Sequence, residues 1–237
     1  MADAEDSDAG PAAARKSPAP PGEIVRVRRR QSRSIATRAR ILTAATQEFA
    51  DLGFDGATTR SIAQRADVRH ALVIYHFETK LGVWQAVMRT TTNWFNDAFA
   101  ARLASLHHVD AVSKLRQLQA DFIRMAAAHP EMHWLMSHEA GAGGERLDWL
   151  LDTLLGASTD MFHDLVAETQ RAGCYVAGDP HHLHYLFLGA AARLFMLSSE
   201  VEKVMGRSPF DPGFVEEHIR LCHALFFREP LARSAGP

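Results

Sequence analysis

Apolar positions beyond Lys80 recur every three to four residues, and no stretch there alternates apolar and polar residues as a half-buried strand would. This period predicts α-helices throughout and an all-α fold. Proline, glycine and aspartate mark the breaks between them. The predicted helices cover residues 79–106, 110–128, 130–141, 144–173, 179–205 and 212–228. Three shorter helices are predicted before these.

The segment from Thr58 to Lys80, TTRSIAQRADVRHALVIYHFETK, carries the most specific pattern in the chain. Thr58 or Thr59 can cap a helix, because a threonine hydroxyl accepts a hydrogen bond from an unpaired N–H group of the first turn. The apolar residues that follow on one helical face are Ile62, Ala63 and Ala66. This spacing predicts a short amphipathic helix of two turns.

Asp67 and Val68 interrupt this pattern, and a second helical segment follows over residues 69–77. Asp67 suits a tight turn because aspartate tolerates a left-handed backbone conformation better than most residues. Val68 can pack beneath both helices. Two short helices joined in this way predict a helix-turn-helix.

Residues 38–88 resemble the DNA-binding domain of the TetR family of transcriptional regulators. The matching pieces are a first helix over residues 40–54, then Ala57-Thr58-Thr59, Ile62-Ala63, Ala66-Asp67-Val68, Tyr75-His76-Phe77 and Lys80. Asp67 stands where glycine is usual in the family, Ala71 where glycine is common and Ile74 where tyrosine is frequent. The resemblance implies a small N-terminal helix-turn-helix domain, a larger C-terminal helical domain for ligand binding and dimerisation, and about nine helices in total.

The chain is expected to divide into four parts. Residues 1–35 are rich in Ala, Pro, Asp and Ser and end in a basic run of arginines. Such a segment buries too little apolar surface to order itself, so disorder is predicted there and in a tail over residues 230–237. The helix-turn-helix domain is assigned to residues 36–82 and the ligand-binding and dimerisation domain to residues 83–229. The basic run is either an arm that follows phosphates or a tail without specific contacts.

Charge is distributed unevenly, although the formal net charge is only −2. Residues 24–80 hold 11 basic and 5 acidic side chains, a net +6, whereas residues 81–237 hold 13 basic and 18 acidic side chains, a net −5. This distribution indicates that the helix-turn-helix end approaches phosphates. A nonspecific DNA-organising protein, which would be basic over its whole surface, is the alternative.

The second helix of the helix-turn-helix is expected to face DNA. The residues predicted at base edges are Arg69, His70, Ala71, Leu72 and Tyr75. The Arg69 guanidinium suits guanine, and the apolar Ala71 and Leu72 suit thymine methyl groups. The residues predicted to hold phosphates, and so to set the register without reading sequence, are Arg38, Thr59, Arg60, Tyr75, His76 and Lys80.

The last two predicted helices are apolar enough to need a partner. A monomer would leave part of their surface in water, whereas a symmetric dimer closed by a four-helix bundle would bury it. The alternative is that both helices are core within one chain. The predicted interface residues are Leu186, Ala190, Leu194, Ile219, Cys222 and Phe226.

Large flexible and aromatic side chains are numerous in the middle of the C-terminal part, and most are expected to be core. The resemblance implies a ligand pocket between these helices, and a pocket lined by Met and aromatic groups suits a large apolar or aromatic ligand. The candidate lining residues are Phe122, Met125, Met136, Trp149 and Met161.

Other candidate chemistry is weak. Cys174 and Cys222 lack CxxC spacing and are expected to be reduced and packed as small hydrophobes. The histidine clusters lack the geometry of a closed zinc site, so neither a metal nor a cofactor is expected. Glu139 and Arg146 are predicted to form a structural pair. The sequence has no phosphate loop, nucleophile elbow or dinucleotide fingerprint, which leaves an all-helical enzyme as a minor alternative.

These features predict a sequence-specific DNA-binding transcriptional regulator, which acts as a ligand-responsive repressor and is not an enzyme. Its expected partners are double-stranded operator DNA, a second copy of the chain as a homodimer, and a small-molecule effector. The N-terminus is acidic and polar where a secretion signal would be basic and then apolar, and long apolar runs are absent. A cytoplasmic location is therefore expected.

Overall fold

A computed structural model describes the backbone of residues 21–228 and the side chains of residues 31–228 except that of residue 157. The described residues form eleven α-helices, a π-helical turn over Leu151–Leu155 and an isolated antiparallel bridge between Tyr175 and Phe227, with no strand among them. The α-helices are α1 Pro21–Gly56, α2 Thr59–Arg65, α3 His70–Phe77, α4 Lys80–Ser105, α5 Ala111–Ala128, α6 Pro130–Ala142, α7 Glu145–Leu150, α8 Gly156–Arg171, α9 Pro180–Met196, α10 Ser198–Met205 and α11 Pro212–Phe226. The predicted all-α fold is confirmed.

The helix count exceeds nine because two predicted helices are interrupted. The segment over residues 144–173 contains the π-helical turn, in which the Asn96 side-chain amide donates a hydrogen bond to the Leu154 carbonyl oxygen at 3.0 Å. The segment over residues 179–205 breaks at Leu197, whose backbone angles (φ −96°, ψ 24°) leave the helical region. Gly156 directly follows the π-helical turn, whereas no glycine or proline adjoins the break at Leu197.

Helix α1 begins well before the position predicted. Residues 21–35 are helical, which corrects the prediction of disorder for this part of the N-terminal extension. Arginine, glutamine and glutamate, all present in this stretch, are good helix formers, and proline is favoured at a helix start. The remainder of the extension and the tail over residues 230–237 lie outside the described residues. The chain divides into two compact units at Ala39–Arg40, inside this helix.

The second unit contains two hydrophobic cores. The N-terminal core packs α1, α2, α3 and the first half of α4 around fully buried residues such as Phe49, Ile62 and Trp84. The C-terminal core packs α5, α8, α9 and α11 around residues such as Leu115 and Phe187. Both cores draw on α4, because its later residues pack against the C-terminal core. Helix α4 therefore links the two.

Aspartate side chains cap the starts of α5 and α9. The carboxylates of Asp110 and Asp179 accept hydrogen bonds from the backbone N–H groups of Ser113 at 3.0 Å and His182 at 2.9 Å. These bonds stabilise the ionised carboxylates and lower their pKa values. Each aspartate therefore satisfies a backbone N–H group in the first turn of its helix.

The two cysteines are free and buried, as predicted. Burial raises the pKa of the Cys222 thiol to about 11, so it behaves as a small apolar group. Within residues 21–228, every helix is too short or too polar to cross a lipid bilayer.

Candidate nucleic-acid interface

The helix-turn-helix is built by local hydrogen bonds. Thr58 caps α2, since its hydroxyl accepts from the Ser61 N–H at 3.0 Å while the Ser61 hydroxyl accepts from the Thr58 N–H at 3.1 Å. This reciprocal capping box satisfies two backbone donors. Asp67 forms the turn in a left-handed conformation (φ 50°), as predicted. The Arg40 guanidinium donates to the backbone carbonyl oxygens of Ala66 and Asp67, which holds the turn against α1.

Replacing Asp67 by glycine is expected to improve both the turn and DNA binding. Glycine adopts a positive φ freely and also removes an exposed carboxylate that would repel phosphates. Asp67→Ala removes the same carboxylate but keeps a Cβ in the left-handed region, which costs about 1 kcal/mol. Urea denaturation should find the glycine variant the most stable, the wild-type protein next and the alanine variant the least stable. At low salt both variants should bind DNA about twofold to threefold more tightly than the wild-type protein. Equal stability of the two variants would contradict the role given to the backbone angle.

Helix α3 presents a continuous exposed face. Val73 and Phe77 are buried in the N-terminal core. The exposed residues on the other side are Ala71, Leu72, Ile74 and Tyr75, with Arg69 exposed at the N-cap. Ile74 is 39% exposed and lies on the same face as the residues predicted to contact bases. In the sequence, Ile74 stands out only because tyrosine is frequent at this position in the family. A helix with this exposed face can enter a major groove.

Thr59 and His70 contact each other. The Thr59 hydroxyl lies 3.0 Å from Nε2 of His70, and both residues are partly buried. This bond ties the start of α2 to the start of α3. His76 is also partly buried, with its ring 5.1 Å from that of Tyr75.

Lys80 is engaged with the protein rather than projecting freely. Its ammonium group donates to the carbonyl oxygens of Phe54 at 2.8 Å and Ala57 at 3.2 Å, and it lies 4.3 Å from the centre of the Phe54 ring. Lys80 thus ties the start of α4 to the end of α1. One of its three N–H groups is left for a phosphate.

Two arginines of this region have acidic partners, and one is Arg40, whose guanidinium lies 3.9 Å from the Asp67 carboxylate. Arg65 forms ion pairs at 2.8 Å with both Glu48, which is buried, and Asp51, so it holds α2 on α1. Arg60 and Arg69 are exposed, and neither forms an ion pair within the described residues. Arg38, on the first unit, is exposed as well. Arg60 and Arg69 therefore carry exposed positive charge that can meet DNA.

The junction between α3 and α4 is short and closely packed. It consists of Glu78 and Thr79; Glu78 has φ 64° and ψ −52°, and the Thr79 N–H donates to the Phe77 carbonyl oxygen at 2.7 Å. These angles form a γ-turn that is strained for a residue with a side chain. A Cβ added at Gly82 would overlap with the Phe77 carbonyl oxygen. Only glycine lets the first turn of α4 approach α3 this closely.

A buried network connects the helix-turn-helix region to α6 and α7. Glu139, 3% exposed, accepts a hydrogen bond from Nε1 of Trp84 at 3.0 Å and pairs with Nε of Arg146 at 2.8 Å. The Arg146 guanidinium lies 4.1 Å from the centre of the Phe54 ring. The predicted pairing of Glu139 with Arg146 is confirmed, and it joins α1, α4, α6 and α7.

An apolar groove of about 540 Å³ lies between α4 and α5. This volume is within the range of small-molecule sites. Its walls include the stacked rings of Phe95 and Phe99, 6.1 Å apart, and the edge of Phe122, 6.2 Å from Phe95.

Two of the five predicted ligand residues, Phe122 and Met125, line this groove. Met136 and Trp149 instead pack against the N-terminal core, because α6 and α7 turn those side chains toward α4. Met161 is partly buried and does not line this groove.

The predicted dimer residues fall into two groups. Leu186 is 52% exposed, and Ala190 and Leu194 are partly buried. Ile219, Cys222 and Phe226 belong to the C-terminal core, which corrects their assignment to an intersubunit face. Helix α11 is apolar on two sides, and its exposed apolar side instead carries Leu221 and Leu225.

The histidine clusters are dispersed into separate contacts. His129 lies beside Glu131, and His138 beside the Ala50 carbonyl oxygen, while the rings of His163 and His181 meet edge-on with centres 3.8 Å apart. Among the residues that the structure describes, no group of three or more His, Cys, Asp or Glu side chains is placed to hold a metal ion.

The fold and this surface define a DNA-binding protein of the helix-turn-helix class. Residues 41–87 match the family described as bacterial regulatory proteins, tetR family. These residues therefore match the DNA-binding domain of the TetR family of transcriptional regulators.

Relatives agree with this assignment over most of the chain. The HTH-type transcriptional regulator RutR of Escherichia coli (strain K12) is 25% identical over 194 residues, which cover 80% of this chain and 89% of RutR. The HTH-type transcriptional regulator BetI of Cronobacter sakazakii is 33% identical over 78 residues, 33% of this chain and 39% of BetI. The structure of AibR in complex with isovaleryl coenzyme A and operator DNA shares the fold, with a TM-score of 0.65 and 17% identity over 80% of this chain and 98% of AibR. The chain is a transcriptional regulator and not an enzyme.

Proposed function

We propose that this regulator is a homodimeric repressor that leaves its operator when a small apolar or aromatic molecule binds the C-terminal helices. The position of α4 carries the proposal. Its first turn packs against the end of α3 at Gly82, and its later turns form one wall of the apolar groove. A ligand that moves this wall therefore also acts on the helix that faces DNA, provided that it binds the two conformations unequally.

In this proposal α3 lies in the major groove of the operator. Arg69 reads guanine through a bidentate contact, Ala71 and Leu72 contact thymine methyl groups, and Tyr75 and His70 complete the base-facing surface. The proposed phosphate contacts are Arg38, Thr59, Arg60, Tyr75, His76 and the remaining N–H of Lys80.

Arg69→Ala is expected to relax base discrimination at one operator position. Loss of a bidentate guanine contact costs about 1–3 kcal/mol on sites that carry this base and little on sites that lack it. Arg60→Ala is the matched control, since it removes a phosphate contact and should weaken all sites alike while lowering the salt slope by about 1. Fluorescence anisotropy titrations against single-base operator variants at two salt concentrations distinguish the loss of a base contact from the loss of a phosphate contact. Equal losses on every sequence for both variants would refute the assignment.

The dimer is proposed to form through α9 and α11, which pack together and leave apolar side chains exposed. Tyr185 is 70% exposed, Leu221 58% and Leu225 61%, and Leu186 lies on the same helix as Tyr185. A two-fold axis through this surface would bury these side chains and present two α3 helices to successive major-groove faces.

Leu225→Glu is expected to produce a monomer with strongly reduced operator affinity, because it places a charge in the apolar interface. Val204→Glu, on an even more exposed residue of α10 (79%), is the control and should leave the dimer intact. Sedimentation equilibrium at micromolar concentration measures both masses. A wild-type monomer would overturn the dimer proposal.

The proposed domain division places the DNA-binding domain at residues 36–82 and the ligand-binding and dimerisation domain at residues 83–229. The two hydrophobic cores support it, although α4 contributes to both. A regulator that binds chromosomal DNA acts where the DNA is, and we place it in the cytoplasm as part of this proposal.

The first experiment is a titration of the purified protein against its own upstream intergenic DNA and a scrambled fragment of equal length, at low and near-physiological salt. A preference that survives the higher salt supports operator-specific regulation. Equal affinity that collapses with salt for both fragments would favour the nonspecific DNA-organising alternative.

A further inference from the structure

The groove between α4 and α5 has an apolar length and a charged end. Phe95, Phe99, Phe122 and Met125 provide flat or polarizable surfaces along its length. Such surfaces fit an aromatic body or an acyl chain.

The charged end contains two guanidinium groups and one carboxylate from the groove lining. Nε of Arg102 donates to Oδ2 of Asp121 at 2.6 Å, and Nη1 of Arg124 donates to Oδ1 of the same carboxylate at 3.1 Å. Asp121 is shared between these two guanidinium groups, and the Glu216 carboxylate, which lies outside the groove lining, is a second partner of Arg124.

The two arginines differ in how far they are already satisfied. Nε and Nη2 of Arg124 are held by the Glu216 carboxylate at 2.8 and 3.0 Å, and this pairing raises the pKa of Arg124 and lowers that of Glu216. Arg102 donates its second bond, from Nη2, to the neutral amide oxygen of Gln117 at 2.9 Å. Arg102 therefore has fewer charged partners than Arg124, and the hydrogen bonds described for it leave its Nη1 group for a ligand.

A cationic ligand fits this end poorly. Both oxygens of Asp121 already accept bonds from arginines, so an ammonium group would have to displace one of them and then face both. At the other end, Nδ1 of His129 lies 3.2 Å from Glu131. Burial lowers the pKa of His133, which packs against Phe122, to about 4, so its imidazole is neutral at pH 7.

We infer that the groove binds an amphipathic anion, with a flat aromatic or acyl body between α4 and α5 and a single carboxylate, sulfonate or phosphate group on Arg102. The inference rests on the proposed function, since it names the chemical class of the effector. The headgroup would accept hydrogen bonds from Nη1 of Arg102 while Nε stays on Asp121, and the apolar body would press on the wall formed by α4.

Two fluorescent probes that share an N-phenylnaphthylamine body test this inference. 8-Anilinonaphthalene-1-sulfonate carries an anionic group, and N-phenyl-1-naphthylamine carries none. Wild-type protein should bind the sulfonate about tenfold more tightly than the neutral probe, since hydrogen bonds to charged groups are worth at least this factor. Arg102→Gln should remove that preference and leave the neutral probe within twofold, whereas Arg171→Gln, on an exposed arginine of α8, should change neither.

Ala98→Phe locates the probes, because Ala98 is an exposed groove residue whose enlargement fills the space without entering the core. Both probes should lose at least tenfold in affinity with this variant. Unchanged sulfonate binding in Ala98→Phe, or equal effects of Arg102→Gln on the two probes, would overturn the inference. Probe binding is measured without DNA. A failure of the ligand inference is therefore distinguishable from a failure of the proposed function, which the operator titration tests.

Discussion

Gly82→Ala is expected to destabilise the protein by about 2–3 kcal/mol and to lower operator affinity about 100-fold. The new methyl group would overlap with the Phe77 carbonyl oxygen, a backbone atom that can move only if α3 or α4 moves. Overpacking of this kind typically costs 1–3 kcal/mol. A small displacement of α3 also misplaces the side chains that contact bases, each worth about 1–3 kcal/mol, in both halves of a dimer.

Gly141→Ala is the matched control. Gly141 also lies in a helix, but a Cβ there meets no atom within 4 Å, so alanine should stabilise the protein by about 0.5–1 kcal/mol through helix propensity. Urea denaturation and anisotropy with operator DNA measure both effects. Wild-type operator affinity in Gly82→Ala would mean that the α3–α4 junction adapts and does not set the position of α3.

Local pattern predicts a residue's role well where that role depends on neighbours in the chain. The Thr58 cap, the left-handed Asp67 and the buried faces of α2 and α3 each depend on residues within a few positions. Much of the predicted DNA-facing surface could therefore be read from the periodicity of residues 58–80.

Roles that depend on distant segments were not predictable in this way. The carbonyl partners of Lys80 are more than 20 positions earlier in the chain, and the need for glycine at position 82 arises only where α4 meets α3. In α11 two apolar stripes compete for the core, and periodicity does not say whether Cys222 or Leu221 faces inward. The aromatic residues of the C-terminal part posed the same problem, since Phe122 lines the groove while Trp149 packs toward the N-terminal core.

The π-helical turn and the network around Glu139 have a common physical basis. In each, a polar side chain forms a hydrogen bond with a segment that is distant in the chain. The Asn96 amide donates to the Leu154 carbonyl oxygen, and the Glu139 carboxylate accepts from the Trp84 indole N–H. The first contact joins the later half of α4 to the π-helical turn, and the second joins the early half of α4 to α6.

Glu139→Ala is expected to lower the free energy of unfolding by about 3 kcal/mol. The variant leaves the Trp84 indole N–H without its acceptor and Arg146 without its counter-ion, and breaking a buried pair costs about 3–5 kcal/mol. The lower value applies because the Arg146 side chain is 24% exposed and can recruit water. Glu139→Gln keeps the shape and an acceptor for Trp84, and should cost about 1–2 kcal/mol.

The double variant Glu139→Met with Arg146→Met separates pairing from packing. Replacing both partners of a buried ion pair by apolar groups is often nearly neutral, so the double variant should be more stable than Glu139→Ala. Glu217→Ala is the control, since it breaks an exposed pair with Arg207 at 2.7 Å and should cost less than about 1 kcal/mol. If the double variant is as unstable as Glu139→Ala, the lost stability comes from packing around Trp84 and Phe54 rather than from the unpaired charge. If it recovers stability but its operator affinity stays low, the polar network holds the helix-turn-helix in its binding orientation.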